Sequence, residues 1–244
     1  MQLPSAPGQP AKAELLRLAA VASRQPAVTA GRYHYLKRRA WYLNTAVAGQ
    51  SVTSQLQPQT VEQWLADDGS GRIVTARDEG GTVDAHRIEK GARTPSAGTL
   101  PTDPAALAQQ LLGYPSLGQD NAGIPNGVER VERTVDLLST DGAVPPALQA
   151  ALWRVLAASQ LTNHGVIIDR AGRRGVAFTV DSAYTGLLTR YMLIIDPTTG
   201  RLLDYEQVLT KTAGKLNVRV PAVIAYEIFL RAGNVGSDTV RPQA

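Results

Sequence analysis

Three histidines and one pair of adjacent aspartates are the residues of this 244-residue chain best suited to metal or acid–base chemistry. His34, His86 and His164 lie in different neighbourhoods, and none has metal-ligand spacing to another histidine or a carboxylate. Asp67 and Asp68 adjoin in a turn, where neighbouring side chains point apart and do not share a proton. We predict no metal site and interpret His34 as a half-buried strand residue, His164 as a turn residue and His86 as a surface residue.

Motifs for covalent catalysis and nucleotide binding are missing from the sequence. There is no Gly-x-Ser-x-Gly elbow and no Ser-x-x-Lys, and the serines lie in loops without a nearby base. Gly69-Ser70-Gly71 and Gly80-Gly81 are too short for a phosphate loop. The chain has no cysteine, which excludes disulfides and thiolate chemistry. We therefore predict a non-enzymatic protein without catalytic residues or a cofactor, and an unrecognised hydrolase or metal enzyme is the less favoured alternative.

The sharpest local pattern is IIDPTTGRLL, from Ile194 to Leu203. Asp196 can accept hydrogen bonds from the backbone amides that follow it, Pro197 presets a turn angle, and Gly200 can adopt the left-handed conformation. The pattern predicts a structural corner between two strands. A metal or phosphate site around Asp196 and Thr198 is the alternative, and it lacks companion residues.

The charge pattern argues against a nucleic-acid partner. The net charge is +4, but most cations alternate with Asp and Glu along the chain. The densest basic runs, 37–39 and 170–174, are short, whereas a surface that follows phosphates needs a concentrated patch. We interpret both runs as solvated faces, with contact to an acidic envelope or to lipid headgroups as the alternative.

The large apolar residues are the candidates for a ligand site. Apolar residues make up 43% of the chain and aromatic residues only 5%, so a cavity would have mainly aliphatic walls, which suits lipid tails better than stacked bases. The candidate ligand-binding residues are Trp41, Trp64, Trp153 and Met192. Each of these side chains is also of a type that commonly packs in a core.

The elements that must position these residues indicate an α+β protein. After a flexible leader over 1–10, we predict one domain over 11–244. Residues 11–95 hold an amphipathic helix, which stops before Pro26, and strands that include a hairpin through Asp67–Gly71. Residues 100–160 form a helical insert of about three helices, with Asp103 or Thr102 as one cap and Asn126 in a capping box. The period changes to 2 in 165–232, which predicts antiparallel strands.

Several modest motifs occur in a characteristic order from about Ala11 onward. Together they resemble the extracytoplasmic part of an uncharacterised actinobacterial family of single-pass membrane proteins encoded near sigma factors. The order of helix, strands, helical insert and strands is also similar to the curved half-barrel of the lipoprotein-carrier (LolA) and RseB/MucB class. The motifs are AVTAGRYHY at 27–35, WLADDGSGR at 64–72, LPTDPAAL at 100–107, VPPALQAALWRVL at 144–156, DRAGRRGVA at 169–177 and the hairpin of IIDPTTGRLL.

The resemblance implies an extracytoplasmic, envelope-associated domain whose membrane anchor would precede Met1. It further implies a sensor or regulatory ectodomain of an anti-sigma-like membrane protein, with a protein partner in the envelope. The expected ligand is a lipid, a lipoprotein or a peptide in an aliphatic groove of the curved sheet. A soluble lipid or lipoprotein carrier or chaperone is the main alternative, and an interaction scaffold without a small ligand is another.

Overall fold

The computed structural model describes residues 8–28, 30–49, 51–77, 81, 83–92, 97–113 and 126–243. Within them, helices pack against one large antiparallel sheet, which confirms the predicted α+β class. None of the helices in these ranges is long and apolar enough to cross a membrane. The helices are α1 Lys12–Ser23, α2 Pro104–Gly113, α3 Asn126–Asp141 and α4 Pro146–Ala157.

The sheet has ten strands in the described part of the chain and is not closed into a barrel. Its order is β1-β6-β7-β8-β9-β10-β2-β3-β4-β5, so β1 and β5 form its two edges. The strands are β1 Gln9–Pro10, β2 Tyr33–Ala48, β3 Ser51–Ala66, β4 Gly71–Arg77, β5 Val83–Ile88, β6 Thr162–Ile168, β7 Arg174–Ser182, β8 Thr189–Ile195, β9 Leu202–Leu209 and β10 Ala222–Val235.

The two predicted groups of strands form a single sheet because β10 lies between them. Tyr226 of β10 is opposite Trp41 of β2 on one side and opposite Glu206 of β9 on the other. The strands before the helical insert and those after it therefore share one hydrogen-bonded ladder. The predicted hairpin through Asp67–Gly71 is confirmed, with Leu65 of β3 paired to Gly71 of β4.

Alternation of side chains along the strands gives the sheet two different faces. Phe178, Leu193 and Tyr205 belong to the core that includes all four helices, and we call this side the helix face. Met192 and Ile194 lie on the opposite side, the outer face, in a separate apolar cluster. The helices therefore cover one side of the sheet only.

Packing rather than capping holds the helices on the helix face. Leu15 and Leu18 of α1 and Leu152 of α4 are fully buried, and burial of one such side chain stabilises the fold by about 1.5–3 kcal/mol. One predicted cap is confirmed, because Asp103 Oδ1 accepts hydrogen bonds from the backbone N–H groups two and three positions later, at 3.1 and 2.9 Å. Such a cap contributes about 1 kcal/mol. The side chain of Asn126, in the predicted capping box, lies outside the described residues.

Candidate functional site

A groove of about 290 Å³ opens on the helix side, near the ends of β8 and β9. Its walls are the C-terminal end of α1, the loop between α3 and α4, the turn from Asp196 to Arg201, and 229–232 of β10. A bulge between Phe229 and Arg231 shifts the register of β10 against β2 at this point. Since Arg173, Arg201 and Arg231 all border it, we call it the arginine groove.

The floor of the arginine groove is aliphatic. Its side chains come from β2, α3, the α3–α4 loop and the start of β9, and each is at most 8% exposed. Contact with such a floor would remove an aliphatic group of a ligand from water, at about 25 cal/mol per Å² of buried surface. The four side chains are Leu36, Leu138, Val144 and Leu202.

One wall of the groove is the turn predicted from the IIDPTTGRLL pattern, and the structure confirms that it is a corner. Asp196 Oδ1 accepts hydrogen bonds from the backbone N–H and the hydroxyl of Thr198, at 2.7 and 2.6 Å. Burial would raise the pKa of Asp196, but these bonds outweigh it and lower the pKa below its ordinary value. Gly200 has φ +69°, and its carbonyl accepts a hydrogen bond from Trp153 Nε1 at 2.7 Å. The aspartate therefore holds the turn in shape.

The three arginines of the groove differ in how firmly they are held. Arg173 is fixed by an ion pair with Asp169 at 2.6 Å and by hydrogen bonds to two backbone carbonyls. Arg231 is exposed, and within the described part of the chain it donates only to the carbonyl of Pro242, at 3.1 Å. The exposed side chain of Arg201 has no hydrogen bond or ion pair with the described residues. Two cationic groups at the rim are thus available to an anionic partner.

A buried amide also faces the arginine groove. Gln149 of α4 is 8% exposed, and its Nε2 has no hydrogen-bond partner in the described part of the chain. A buried N–H group left without an acceptor costs about 1–3 kcal/mol. Because the Nε2 atom itself is buried, a carbonyl or carboxylate oxygen in the groove would supply the missing acceptor only after the Gln149 side chain turned toward the groove.

The four residues predicted to bind a ligand do not come together. Trp153 lies in the core beneath the helices, whereas Met192 lies in the apolar cluster of the outer face. Trp64 is buried on the outer face against Tyr35, and its Nε1 donates to the carbonyl of Val240 at 2.6 Å.

Trp41 is half-buried on the outer face, with its ring centroid 5.1 Å from that of Tyr226. None of these four side chains lines the arginine groove. Ligand contact by any of them stays a prediction, and a single pocket made of all four is not present.

The histidines lie in three separate places. His86 is exposed on β5, as predicted, and His34 Nε2 lies 2.8 Å from Oδ1 of Asp67, a side chain that is 90% exposed. The prediction of His164 as a plain turn residue was wrong, since it lies in β6 at a bulge with its Nε2 2.9 Å from Thr179 Oγ1. Among the described residues, no three His, Cys, Asp or Glu side chains are placed to hold a metal ion.

The helix face beneath α3 is polar, which the aliphatic composition did not indicate. Glu227 of β10 accepts hydrogen bonds from Arg38 Nη1 at 2.7 Å, from Tyr42 OH at 2.5 Å and from Ser139 Oγ at 2.6 Å. These bonds join β2, β10 and α3. The alternation of Arg38 and Tyr42 on one face of β2 was the available sequence signal.

A second polar contact ties α3 to β9. Glu132 Oε1 accepts hydrogen bonds from Tyr205 OH at 2.5 Å and from Gln207 Nε2 at 3.1 Å. Burial raises the pKa of Glu132 above its ordinary value, although the Tyr205 hydrogen bond opposes this. Because α3 is bonded to the sheet here, this part of the helix face is covered by the helix.

Comparison with known proteins gives a distant structural likeness. No family model and no curated protein matches the sequence. The chain is similar to MucB in the crystal structure of MucB in complex with MucA(peri), at 14% identity and a TM-score of 0.36. The match covers 96% of this chain and 60% of the MucB chain, so this chain spans less than two thirds of that protein's length. At this distance, a function cannot be transferred from MucB.

Proposed function

We propose that this chain is a non-enzymatic regulatory domain that binds an apolar, acidic segment of a protein partner in the arginine groove. The observation that carries the proposal is the combination of a buried, unpartnered amide with an unpaired arginine above an aliphatic floor. A ligand here would give the Gln149 amide a hydrogen-bond acceptor, the Arg201 guanidinium an anion and the aliphatic floor an apolar contact. An extended peptide with a Glu or Asp beside aliphatic residues supplies all three.

A peptide satisfies this groove better than a lipid tail does. The volume, about 290 Å³, is at the small end of ordinary small-molecule pockets. An alkyl chain would cover the floor but would leave Gln149 Nε2 without an acceptor, whereas a peptide backbone carries a carbonyl at every residue. The helices also occupy the helix face, where a half-barrel carrier would hold its lipid.

A binding role is favoured over catalysis by the contents of the groove. Among the described residues, no histidine lines it and Asp196 is its one carboxylate, which is engaged by its own turn. General acid–base catalysis needs a titratable group within reach of the substrate. The residues around the groove instead offer fixed positive charge and hydrogen-bond donors.

The extracytoplasmic location and the regulatory role rest on the motif order described from the sequence. In that reading the domain lies outside the membrane as the ectodomain of an anti-sigma-like membrane protein, and its partner is a protein of the cell envelope. A lipid or lipoprotein ligand, and a carrier function, are the competing outcomes of the experiment below.

Binding of model peptides measures the proposed chemistry directly. Fluorescein-labelled peptides of about ten residues, rich in Leu and Val, would carry a central Glu, Gln or Lys and be titrated by fluorescence polarisation. We expect the Glu peptide to bind most tightly, and the double variant R201E/R231E to weaken it by about thirtyfold or more. The matched control R174E/R219E makes the same charge change at two exposed arginines outside the groove and should bind as the parent does.

Two results would overturn the peptide proposal. One is equal affinity for the Glu, Gln and Lys peptides, and the other is an unchanged affinity in R201E/R231E. Native mass spectrometry of the gently purified protein gives the lipid alternative its own test, because a co-purified lipid-sized mass that R201E/R231E loses would make this groove a lipid site.

The regulatory role needs a partner identified at the groove itself. A photo-crosslinking amino acid at Leu230, which borders the groove and is partly exposed, would be used in cells that express the full-length protein. We expect a crosslink to an acidic, apolar segment of an envelope protein. Crosslinks confined to lipid would refute the regulatory role.

A further inference from the structure

The two short basic runs of the sequence, which contain Arg39 and Arg170, meet on the outer face of the sheet. Arg39 lies on β2 two residues before Trp41, so the two side chains share one side of the strand. Trp41 pairs with Tyr226 of β10, and the guanidinium carbon of Arg170 lies 5.0 Å from the centroid of the Tyr226 ring. One aromatic pair therefore connects two basic runs that are distant in the sequence.

Cations are exposed on this part of the outer face, whereas its carboxylates are buried. The side chain of Lys37, on the same side of β2 as Arg39, is 37% exposed. Arg39 is exposed and has no hydrogen bond or ion pair with a described residue. The outer-facing carboxylates of the described β2, β3, β9 and β10 are each at most 13% exposed and belong to Glu62, Asp204 and Glu206. A partner that approaches this face therefore meets positive charge.

A long stretch without charge adjoins these cations. No charged residue occurs between Arg39 and Glu62, and most of the residues between them form the far half of the β2–β3 hairpin, beyond the pairing of Tyr42 with Ala225. Such an arm can lie on a lipid surface without removing a charge from water. A nucleic acid would instead require cations repeated along its path.

The aromatic pair also favours a lipid surface over a nucleic acid. The rings of Trp41 and Tyr226 have centroids 5.1 Å apart, and Arg170 packs on the Tyr226 ring as well. Tyr226 is thus already in use and does not offer a free ring for base stacking. A half-buried Trp41 beside exposed cations suits the boundary between headgroups and acyl chains, where one end of such a side chain is apolar and the other wet.

We propose that the outer face around Lys37, Arg39, Trp41 and Arg170 docks onto an anionic lipid surface. The three cations lie among the headgroup phosphates, and the Trp41 ring lies at the level of the first acyl carbons. This surface is on the opposite side of the sheet from the helices, and it does not depend on the peptide proposed for the arginine groove.

Sedimentation with lipid vesicles tests the proposal. The 244-residue protein would be mixed with phosphatidylcholine vesicles that contain either no anionic lipid or about 30% phosphatidylglycerol, at about 0.1 M and about 0.5 M NaCl. We expect binding to the anionic vesicles only, and weaker binding at the higher salt concentration. K37Q/R39Q should weaken this binding by about twentyfold, since each cation near such a surface contributes about fivefold.

Tryptophan fluorescence tests whether the contact is made at the proposed place. Trp64 and Trp153 are only 1% and 0% exposed, so a blue shift on addition of anionic vesicles should come from Trp41. W41F should remove that shift. A shift that survives in W41F would place the contact elsewhere and overturn the proposal.

The matched control makes the same two changes on the other side of the sheet. K12Q/R154Q removes an exposed lysine of α1 and an exposed arginine of α4, and it should bind vesicles as the parent does. If K37Q/R39Q does not fold, R39Q alone is the second variant and should weaken binding by about fivefold.

Three results would overturn the docking of this face on lipid. One is an absence of sedimentation with the anionic vesicles at about 0.1 M NaCl. Another is an equal loss of binding in K37Q/R39Q and K12Q/R154Q. The third is tighter binding to single-stranded DNA than to the vesicles, lost in K37Q/R39Q, which would make the face a nucleic-acid site.

Discussion

Replacement of Asp204 by Asn should make stability less dependent on pH. Asp204 lies on β9, is 0% exposed, and pairs across the outer face with Ile194 and Ile228. Neither carboxylate oxygen has a well-formed hydrogen bond within the described chain, and the backbone N–H of Arg170 offers only a weak one. Burial, and then the nearby charge of Glu206, raise the pKa of Asp204 from 3.8 to about 8.

The sign and size of the effect follow from this pKa. Because the folded protein binds this proton more tightly than the unfolded chain does, the folded state loses stability as the pH rises from about 4 to about 8, at about 1.4 kcal/mol per pH unit. At pH 7 the accumulated cost is about 4 kcal/mol. An Asn side chain has the same shape, does not ionise, and avoids that cost. The Asn amide also lacks hydrogen-bond partners, which reduces the stability gained by the substitution, but this cost does not change with pH.

Urea unfolding of the parent and of D204N at pH 5 and pH 7.5 measures the difference. The advantage of D204N in the free energy of unfolding should be about 3 kcal/mol larger at pH 7.5 than at pH 5. D84N, at an exposed aspartate of β5, is the control and should give nearly the same change at both pH values. An advantage of D204N that is equal at the two pH values would refute the assignment of a buried, protonated Asp204.

Two further predictions concern the turn and the α3 contact. G200A should lower the free energy of unfolding by about 2–4 kcal/mol, since the position has φ +69° and a Cβ would lie 2.8 Å from that of Ala22. G172A, with φ +79° and open space, should cost only about 1 kcal/mol in the same urea experiment, and equal losses would contradict the steric reasoning. Y205F should lower the free energy of unfolding more at pH 8 than at pH 5, by about 1–3 kcal/mol, because the Tyr205 hydroxyl that it removes bonds the ionised form of Glu132. An equal loss of stability at the two pH values, again measured by urea unfolding, would contradict this.

Sequence patterns identified the elements that bury apolar side chains. The stripe of Leu15 and Leu18 predicted α1, and alternation in 166–180 and 191–209 predicted the strands after the insert. β5 and the far half of the β2–β3 hairpin were missed, because the β5 residues are exposed and have no apolar alternation to read. The period of apolar residues in a sequence indicates which side chains are buried. A strand with exposed side chains, held only by backbone hydrogen bonds to its neighbour, therefore gives no such signal.

The arginine groove could not be predicted, because its residues are distant in the chain and ordinary in type. Leu36, Gln149, Arg201 and Leu230 come from four separate segments. The turn from Asp196 to Arg201 was interpreted correctly as a corner, yet its role as a wall depends on the packing of α1 and β10 beside it. Choosing large apolar residues identified core positions such as Trp153 because tryptophan in a small domain most often packs inside.

The central place of β10 also constrains the order in which this protein can fold. It follows the other nine strands in the described part of the sequence, yet it lies between β9 and β2, and its Val235 pairs with the distant Tyr33. Until those last residues have been synthesised, β2 lacks one of its two neighbours and exposes an unpaired edge. Without β10 the strands can pair only within two separate groups, β1-β6-β7-β8-β9 and β2-β3-β4-β5, and contacts of such long range form slowly. A truncation within 222–235 would leave those two groups without the strand that joins them.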